Sequence, residues 1–175
     1  SSINLMKNIL VAFSIASELG ITFKEFNQNI SSFNIPDGRG KIIYKNKYLI
    51  IDDTYNSNFT STVSGICSLK NKEYNNMRKV IVLGDMLELG QRTNKFHENL
   101  LNHIIESKID NVLLYGDLMK SLYEKARDVA GLSVEHFTTQ ELLIKNLNNL
   151  ICKNDVIYIK GSRGMKMERI IKGLK

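Results

Sequence analysis

The feature that most restricts the fold of this sequence is a regular alternation of short apolar runs and helical patterns after residue 40. Alternation at this spacing is typical of βαβ units, in which consecutive parallel strands are joined by crossover helices. We therefore expect an α/β fold, with a doubly wound, mostly parallel, Rossmann-like sheet that begins with a β-hairpin strand. The predicted strands are residues 41–45, 48–52, 80–83, 111–115, 134–137 and 155–160, and the predicted helices are residues 60–72, 93–107, 118–129, 139–151 and 165–174.

Two helices precede the alternating region. Residues 5–19 carry apolar side chains at helical spacing and end at a glycine, which is typical of helix C-termini. Thr22 and Glu25 have the spacing of a capping box and predict a second helix that runs to about residue 33. The run P-D-G-R-G that starts at Pro36 disfavours regular structure. We therefore predict two parts, residues 1–36 and residues 37–175.

The composition excludes several classes of protein. Apolar residues make up 43% of the chain and charged residues 24%, as in ordinary globular proteins. The apolar runs are far shorter than the roughly 20 residues that span a bilayer, and no secretion signal is recognisable. We expect a soluble, cytoplasmic protein with no membrane partner. Cys67 and Cys152 lack metal-binding spacing, so we expect neither a disulfide nor a zinc site.

The formal net charge of +6 would also suit a nucleic-acid-binding protein. However, the lysines are scattered among acidic residues, and the basic run at residues 160–166 contains no aromatic side chains that could stack on bases. We therefore expect no nucleic-acid partner. Attraction of a phosphorylated small molecule is the better explanation of the surplus charge.

Polar segments follow three of the predicted strands. D-D-T-Y-N-S-N starts at Asp52, G-D-M-L-E-L-G starts at Gly84, and K-G-S-R-G-M-K-M-E starts at Lys160. Ligands of parallel sheets bind beyond the carboxyl ends of the strands, and free N–H groups at a helix N-terminus favour anions. We therefore expect these segments to form one pocket for a ligand with hydroxyl groups and negative charge.

Several other polar residues are interpreted as structural. Gly116-Asp117 and Thr138-Thr139 also follow strands, but they match turn and helix-cap residues, and Thr138 with Glu141 predicts a capping box. His103 and His136 have no partner in the sequence pattern, and Cys67 is expected to be a small buried apolar residue.

Taken together, the polar segments resemble the C-terminal part of the Mur ligases. Asp53-Thr54-Tyr55-Asn56-Ser57-Asn58 matches the family's D-x-Y-N-x-N, the segment from Leu83 to Gly90 matches L-G-D-M-x-E-L-G, and Lys160-Gly161-Ser162-Arg163 with Met167-Glu168 matches K-G-S-R-x-x-x-M-E. Gly38-Arg39 resembles the G-R element that ends the linker from the central domain.

The opening helix resembles the last helix of the family's ATP-binding central domain. Asn8 matches the second Asn of that helix's H-N-x-x-N pattern, whereas Asn4 and Leu5 replace the usual His and Asn. The resemblance thus implies that residues 1–36 are a helical remnant of the central domain and linker. Residues 37–175 would be the C-terminal Rossmann-like ligase domain.

The resemblance implies the activity of the family member that uses ATP to join D-Ala-D-Ala to UDP-N-acetylmuramoyl-tripeptide in peptidoglycan precursor synthesis, through an acyl phosphate. The sequence contains no G-x-x-x-x-G-K-[ST] phosphate loop. We therefore expect this fragment alone to be inactive, to contain no catalytic residue, and to need the N-terminal and central domains as partners. The Mg²⁺ site is expected in the central domain, and the protein is expected to be a monomer.

Residue roles follow from the resemblance position by position. On the nucleotide side, it implies Arg39 at the ATP phosphates and Asp53 at the ribose hydroxyls, with Asn56 and Asn8 beside the nucleotide. On the dipeptide side, it implies Ser162 and Arg163 at the carboxylate, and Asp85 and Glu88 near the amine, with Lys160 also in the substrate-binding set.

Other interpretations stay open at this point. Arg39 would alternatively be a solvated linker charge, Asp53 a helix cap, and Arg163 the ion-pair partner of Glu168. His97 stands where the family pattern has a His, and it either faces the site or is an ordinary structural histidine. The alternative function is a self-contained regulatory module that binds a nucleotide or phosphate.

Overall fold

The computed structural model describes residues 3–30 and 32–175, with side chains from residue 6 onward. Asn4 and Leu5, where the sequence differs from the family pattern, therefore lie outside the residues whose side chains are described. The chain divides into two compact units, Ser1–Pro36 and Asp37–Lys175. Each unit is described by itself.

The first unit contains two helices, α1 (Ile3–Glu18) and α2 (Phe23–Ile30). The capping box predicted for α2 is confirmed, because the main-chain N–H and the hydroxyl of Thr22 donate to Oε2 of Glu25 at 2.9 and 2.7 Å. The ring of Phe13 packs edge-on against two rings of α2. Several apolar side chains of this unit are exposed, among them Met6, Leu10, Val11, Ile15 and Phe23.

The second unit contains the predicted sheet. Its strands are β1 (Lys41–Tyr44), β2 (Tyr48–Asp53), β3 (Arg78–Gly84), β4 (Asn111–Tyr115), β5 (Ser133–Phe137) and β6 (Asp155–Lys160). Its helices are α3 (Phe59–Ser68), α4 (Thr93–Glu106), α5 (Lys120–Ala126), α6 (Gln140–Leu150) and α7 (Glu168–Lys172). The strand order is β1-β2-β6-β3-β4-β5, with β1 antiparallel to β2 and the other neighbours parallel. The predicted fold class is therefore confirmed.

Alternate side chains of the central strands pack on opposite faces of the sheet. In β6, Val156 and Tyr158 belong to the core shared with α3, α4 and α5, whereas Ile157 and Ile159 belong to the core shared with α6 and α7. Because both faces are covered, the strand is apolar almost throughout. Burial of each such aliphatic side chain contributes about 1.5–3 kcal/mol.

The starts of α6 and α7 differ from the sequence expectations. The capping box at Thr138 is wrong, because Thr139 is the N-cap of α6 and its Oγ1 accepts from the N–H of Leu142 at 3.3 Å. Helix α7 begins at Glu168 rather than at residue 165. The cause is a preceding 3-10 turn, Arg163–Met165, which is followed by Lys166 in the left-handed region (φ 51°).

The structure also describes the state of the cysteines and the length of the helices. Both cysteines are free, and Cys67 is half-buried rather than buried. Among the described residues, no helix combines the length and apolar character needed to cross a membrane.

Candidate functional site

The three polar segments meet at one edge of the sheet. Because β6 lies between β2 and β3, Lys160 is in register with Asp53 on one side and with Leu83 on the other. The segments that leave these strands at their carboxyl ends are therefore neighbours, as expected for the ligand-binding edge of a parallel sheet.

Asp53 is the centre of a network that joins β2 to β6. Its Oδ2 atom accepts hydrogen bonds from Nζ of Lys160 at 2.7 Å and from the hydroxyl of Tyr158 at 2.8 Å. Nζ of Lys160 also donates to the carbonyl of Asn56 at 2.9 Å, and the Lys160 side chain is only 3% exposed. The Asp53 side chain is 25% exposed, and its Oδ1 accepts no hydrogen bond from any described residue.

This network changes the interpretation of Lys160. A buried ammonium group must be paired to offset its lost hydration, and Asp53 provides that pairing. Lys160 thus orders the site from the interior. A direct contact of Lys160 with substrate stays a prediction.

The loop that carries Arg39 is fixed to the end of β2 by Asp52. The buried Asp52 carboxylate accepts from the N–H of Gly38 at 3.0 Å and from the hydroxyl of Thr54 at 2.7 Å. The guanidinium of Arg39 lies 4.0 Å from the centre of the Tyr55 ring, as in a cation–π contact, and the side chain is exposed. The loop therefore holds a cation at the same edge as Asp53.

Asn56 also lies at this edge and is exposed. Its Oδ1 accepts from the N–H of Ser57 at 2.8 Å, while its Nδ2 makes no hydrogen bond to the described residues. Asn8 is exposed on α1, in the other compact unit. The roles of both asparagines stay predictions.

Ser162 joins the three polar segments. Its Oγ accepts from the N–H of Leu87 at 2.8 Å and contacts the carbonyl of Ser57 at 3.4 Å. Its own N–H donates to the carbonyl of Asp85 at 3.0 Å. Because the Ser162 hydroxyl is occupied within the protein, its structure supports a role in shaping the site.

Arg163 is available to a ligand. Its side chain is 64% exposed, and its Nη1 lies 3.5 Å from Oε1 of Glu168. The ion pair expected as the alternative is therefore formed, but an exposed pair at this distance is weak. Both residues line a cleft of ≈ 650 Å³ that also includes Gly38, Thr54 and Tyr55.

The two acidic residues predicted near the dipeptide amine have different surroundings. Asp85 is buried, and its carboxylate accepts from the N–H groups of Leu118 at 3.2 Å and Met119 at 2.9 Å. The Asp85 carboxylate thus holds the two residues that directly precede α5. Burial raises the pKa of the Asp85 carboxyl above its usual value, although these N–H groups oppose the shift.

Close packing also limits access to Asp85. A Cβ on Gly116 would lie 2.4 Å from the carboxylate, and Gly116 has φ 108°, so glycine is required there. Glu88 is exposed and lies in the left-handed region with φ 64°. Of the two, only Glu88 has a freely accessible carboxylate, and the substrate role predicted for Asp85 loses structural support.

His97 has the surroundings of a structural histidine. It is fully buried, its Nε2 accepts from the N–H of Met86 at 3.0 Å, and its Nδ1 lies 2.8 Å from the carbonyl of Thr93. Nδ1 must therefore carry the proton, so the ring is neutral. Burial lowers the pKa of His97.

Sequence reasoning missed the role of Asp52, which it placed only within a polar segment, and it missed Tyr158 altogether. A signal for Asp52 was present, because successive strand residues face opposite sides and the Asp52-Asp53 pair cannot share one role. No such signal existed for Tyr158, which occupies an apolar core position in β6.

Among the described residues, no group of three or more His, Cys, Asp or Glu side chains could hold a metal ion.

The chain is similar in sequence to two ligases that bear the same name. It is 36% identical over 172 residues to the UDP-N-acetylmuramoyl-tripeptide–D-alanyl-D-alanine ligase of Buchnera aphidicola subsp. Baizongia pistaciae, a match that covers 97% of this chain and 36% of that protein. It is 33% identical to the Bacillus subtilis ligase of the same name, with 95% of this chain and 37% of that protein covered. The chain thus spans little more than a third of these relatives.

Solved structures of related proteins have the same architecture. MurF from Acinetobacter baumannii superposes with a TM-score of 0.89 at 28% identity, over 99% of this chain and 38% of that one. MurF ligase from Thermotoga maritima in complex with ADP superposes with a TM-score of 0.83 at 25% identity, over 99% of this chain and 38% of that one.

The family profile described as "Mur ligase, glutamate ligase domain" matches residues 38–163, from the loop of Arg39 to Arg163 in the third polar segment. Since this match covers most of the chain, the chain belongs to the Mur ligase family.

Proposed function

We propose that this chain is the C-terminal part of an ATP-dependent ligase that joins D-Ala-D-Ala to UDP-N-acetylmuramoyl-tripeptide. The observation that carries the proposal is the hydrogen-bonded junction of the three polar segments at the edge of β2, β6 and β3. The Buchnera and Bacillus relatives, which bear the name of this activity, add support.

In this proposal the nucleotide contacts Arg39, Asp53 and Asn56. A guanidinium forms paired hydrogen bonds to phosphate oxygens, and a carboxylate oxygen accepts from a ribose hydroxyl. The exposed Arg39 side chain suits the first role, and Oδ1 of Asp53, which accepts no hydrogen bond from the described residues, suits the second. The ADP complex of the Thermotoga maritima relative is consistent with a nucleotide site in this family. The nucleotide role of Asn8, which lies in the other compact unit, stays a prediction.

The dipeptide would bind beside the nucleotide. Arg163 would hold its carboxylate, and Glu88 would lie near its amine, since both side chains are exposed. Ser162 and Lys160 would order the surrounding main chain, and Asp85 would hold the start of α5. In this reaction ATP phosphorylates the tripeptide carboxylate, and the dipeptide amine then attacks the acyl carbon, forming the amide and releasing phosphate. The chemistry therefore requires the dipeptide and the phosphorylated tripeptide to be held in contact. Mg²⁺ would neutralise phosphate charge at a site in the central domain.

The test compares the isolated chain with the full-length protein that carries it. The full-length protein should release phosphate from ATP only when both UDP-N-acetylmuramoyl-tripeptide and D-Ala-D-Ala are present. The isolated chain should release none and should bind nucleotide weakly. Phosphate release by the isolated chain would contradict the proposal. Equal phosphate release by the full-length protein with and without the dipeptide would also contradict it. Tight nucleotide binding by the isolated chain would instead favour a self-contained binding module.

A further inference from the structure

Tyr158 is a core residue with a polar end at the candidate site. Its side chain lies on the face of β6 that packs against α3, and the residue is only 1% exposed. Its hydroxyl donates to Oδ2 of Asp53 at 2.8 Å. A buried tyrosine hydroxyl requires a hydrogen-bond partner, and here the partner is the carboxylate assigned to the nucleotide.

Helix α3 makes room for this hydroxyl. A Cβ on Gly65 would lie 1.8 Å from the hydroxyl oxygen of Tyr158 and 2.2 Å from its Cζ. Glycine in a helix interior costs about 0.5–1 kcal/mol relative to alanine. The helix therefore carries a destabilising residue at the point where the end of the Tyr158 side chain passes. A phenylalanine at position 158 would need the same glycine, because its Cζ would also lie 2.2 Å from such a Cβ.

The two donors in this network leave Asp53 asymmetric. Both Tyr158 and Lys160 donate to Oδ2, and no described residue donates to Oδ1. Donors on a single oxygen fix the torsion of the carboxylate, which keeps the other oxygen free for a ligand. Burial raises the pKa of Tyr158 well above its usual value, so the hydroxyl remains a donor across the physiological range.

We propose that Tyr158 is a positioning residue for nucleotide binding, which acts through Asp53 by holding Oδ2 so that Oδ1 accepts a ribose hydroxyl. Gly65 provides the space that this arrangement needs. The inference rests on the nucleotide role of Asp53 in the proposed function.

The test is a comparison of two nucleotides in the full-length protein. Affinities for ATP and for 2′,3′-dideoxy-ATP are measured by calorimetry in the wild type and in Tyr158→Phe. Loss of one positioned hydrogen bond should weaken ATP binding by roughly 3- to 10-fold. The dideoxy nucleotide has no ribose hydroxyl that could donate to Asp53, so its affinity should stay unchanged.

A matched control is available at the other end of the sheet. Tyr48 also has a buried ring, and its hydroxyl donates to the carbonyl of Lys175 at 2.7 Å. Tyr48→Phe removes the same atom and should change the affinity for neither nucleotide. Added to Asp53→Asn, Tyr158→Phe should produce no further loss of ATP affinity, because the positioned carboxylate is already gone.

The outcomes separate this inference from the proposed function. Equal weakening for both nucleotides would show a general structural effect, and unchanged affinities would show no effect of the hydroxyl; either result overturns the positioning role. Dipeptide-dependent phosphate release by the wild type is measured separately. Dipeptide-dependent phosphate release therefore supports the proposed function even where the affinities show that Tyr158 has no positioning role. Both nucleotides are measured on the same preparation of each variant. Reduced stability of a variant would therefore lower both affinities and would not produce a selective loss of ATP affinity.

Discussion

The main-chain N–H of Met86 donates a 3.0 Å hydrogen bond to Nε2 of His97, which joins the loop after β3 to helix α4. The opposite ring nitrogen lies 2.8 Å from the carbonyl of Thr93. The ring therefore uses one nitrogen as acceptor and one as donor, an arrangement available only to neutral imidazole. Protonation of Nε2 would remove the acceptor and place two N–H groups against each other.

This arrangement predicts a pH dependence of stability. Burial lowers the pKa of His97 in the folded protein from its usual 6.5. The unfolded chain therefore binds the proton first as the pH falls. The His97 contribution to the free energy of unfolding is complete above pH 6.5 and is lost as the pH decreases toward the lower pKa of the folded state, by at most about 1.4 kcal/mol per pH unit.

His97→Gln provides the measurement. Urea denaturation of wild type and variant at pH 7.5, 6.5 and 5.5 should show a steeper loss of stability on acidification in the wild type. The raised pKa of Asp85 has the opposite sign, because its folded form favours the proton. Parallel stability profiles for wild type and variant would refute the role assigned to His97.

The two acidic residues of the β3 loop should respond differently to loss of charge. Asp85 accepts two main-chain N–H groups in the interior, so Asp85→Asn should lower the free energy of unfolding by about 1–3 kcal/mol. Glu88 is exposed, and Glu88→Gln should change it by less than about 0.5 kcal/mol. Denaturant titration of both variants tests this difference, and equal losses would contradict it.

The fold was predictable because its determinants are local. The β6 strand is predicted by four consecutive apolar or aromatic positions that follow Asp155, and the start of α2 is predicted by Thr22 and Glu25, three residues apart. Both patterns act through neighbours in the chain, so the structure reproduces them.

The site was predictable only as a set of segments. The roles of individual side chains depend on contacts between distant positions, such as Asp85 with Met119 or Asp53 with Tyr158. A carboxylate that follows a strand has the same sequence signature whether it faces a ligand or caps a helix. Which of these occurs is decided by tertiary packing, here by the glycine at position 116 that lets the Asp85 carboxylate approach.

At the amino end of the sheet, a partly buried ion pair should matter for stability alone. Asp155 is fully buried, and it accepts from Nε of Arg78 at 2.9 Å and from Nη2 at 2.7 Å. Asp155→Ala leaves the guanidinium and the N–H of Cys152 without their acceptor and should cost about 1–3 kcal/mol in denaturant titration. Arg78→Lys keeps the charge but loses the paired geometry, so it should cost less. A larger loss for Arg78→Lys than for Asp155→Ala would contradict this account.

At the carboxyl end, Arg163 should affect ligation and leave stability nearly unchanged. Its pair with Glu168 is exposed and 3.5 Å long, so Arg163→Ala should change the free energy of unfolding by less than about 0.5 kcal/mol. If the guanidinium holds the dipeptide carboxylate, the KM for D-Ala-D-Ala in the full-length protein should rise roughly 10-fold or more, with the KM for ATP unchanged. Glu168→Gln removes the competing charge while the guanidinium stays in place, so it should not raise the KM for the dipeptide. A similar rise in both variants would mean that the ion pair itself, through the position of the loop after β6, determines dipeptide binding.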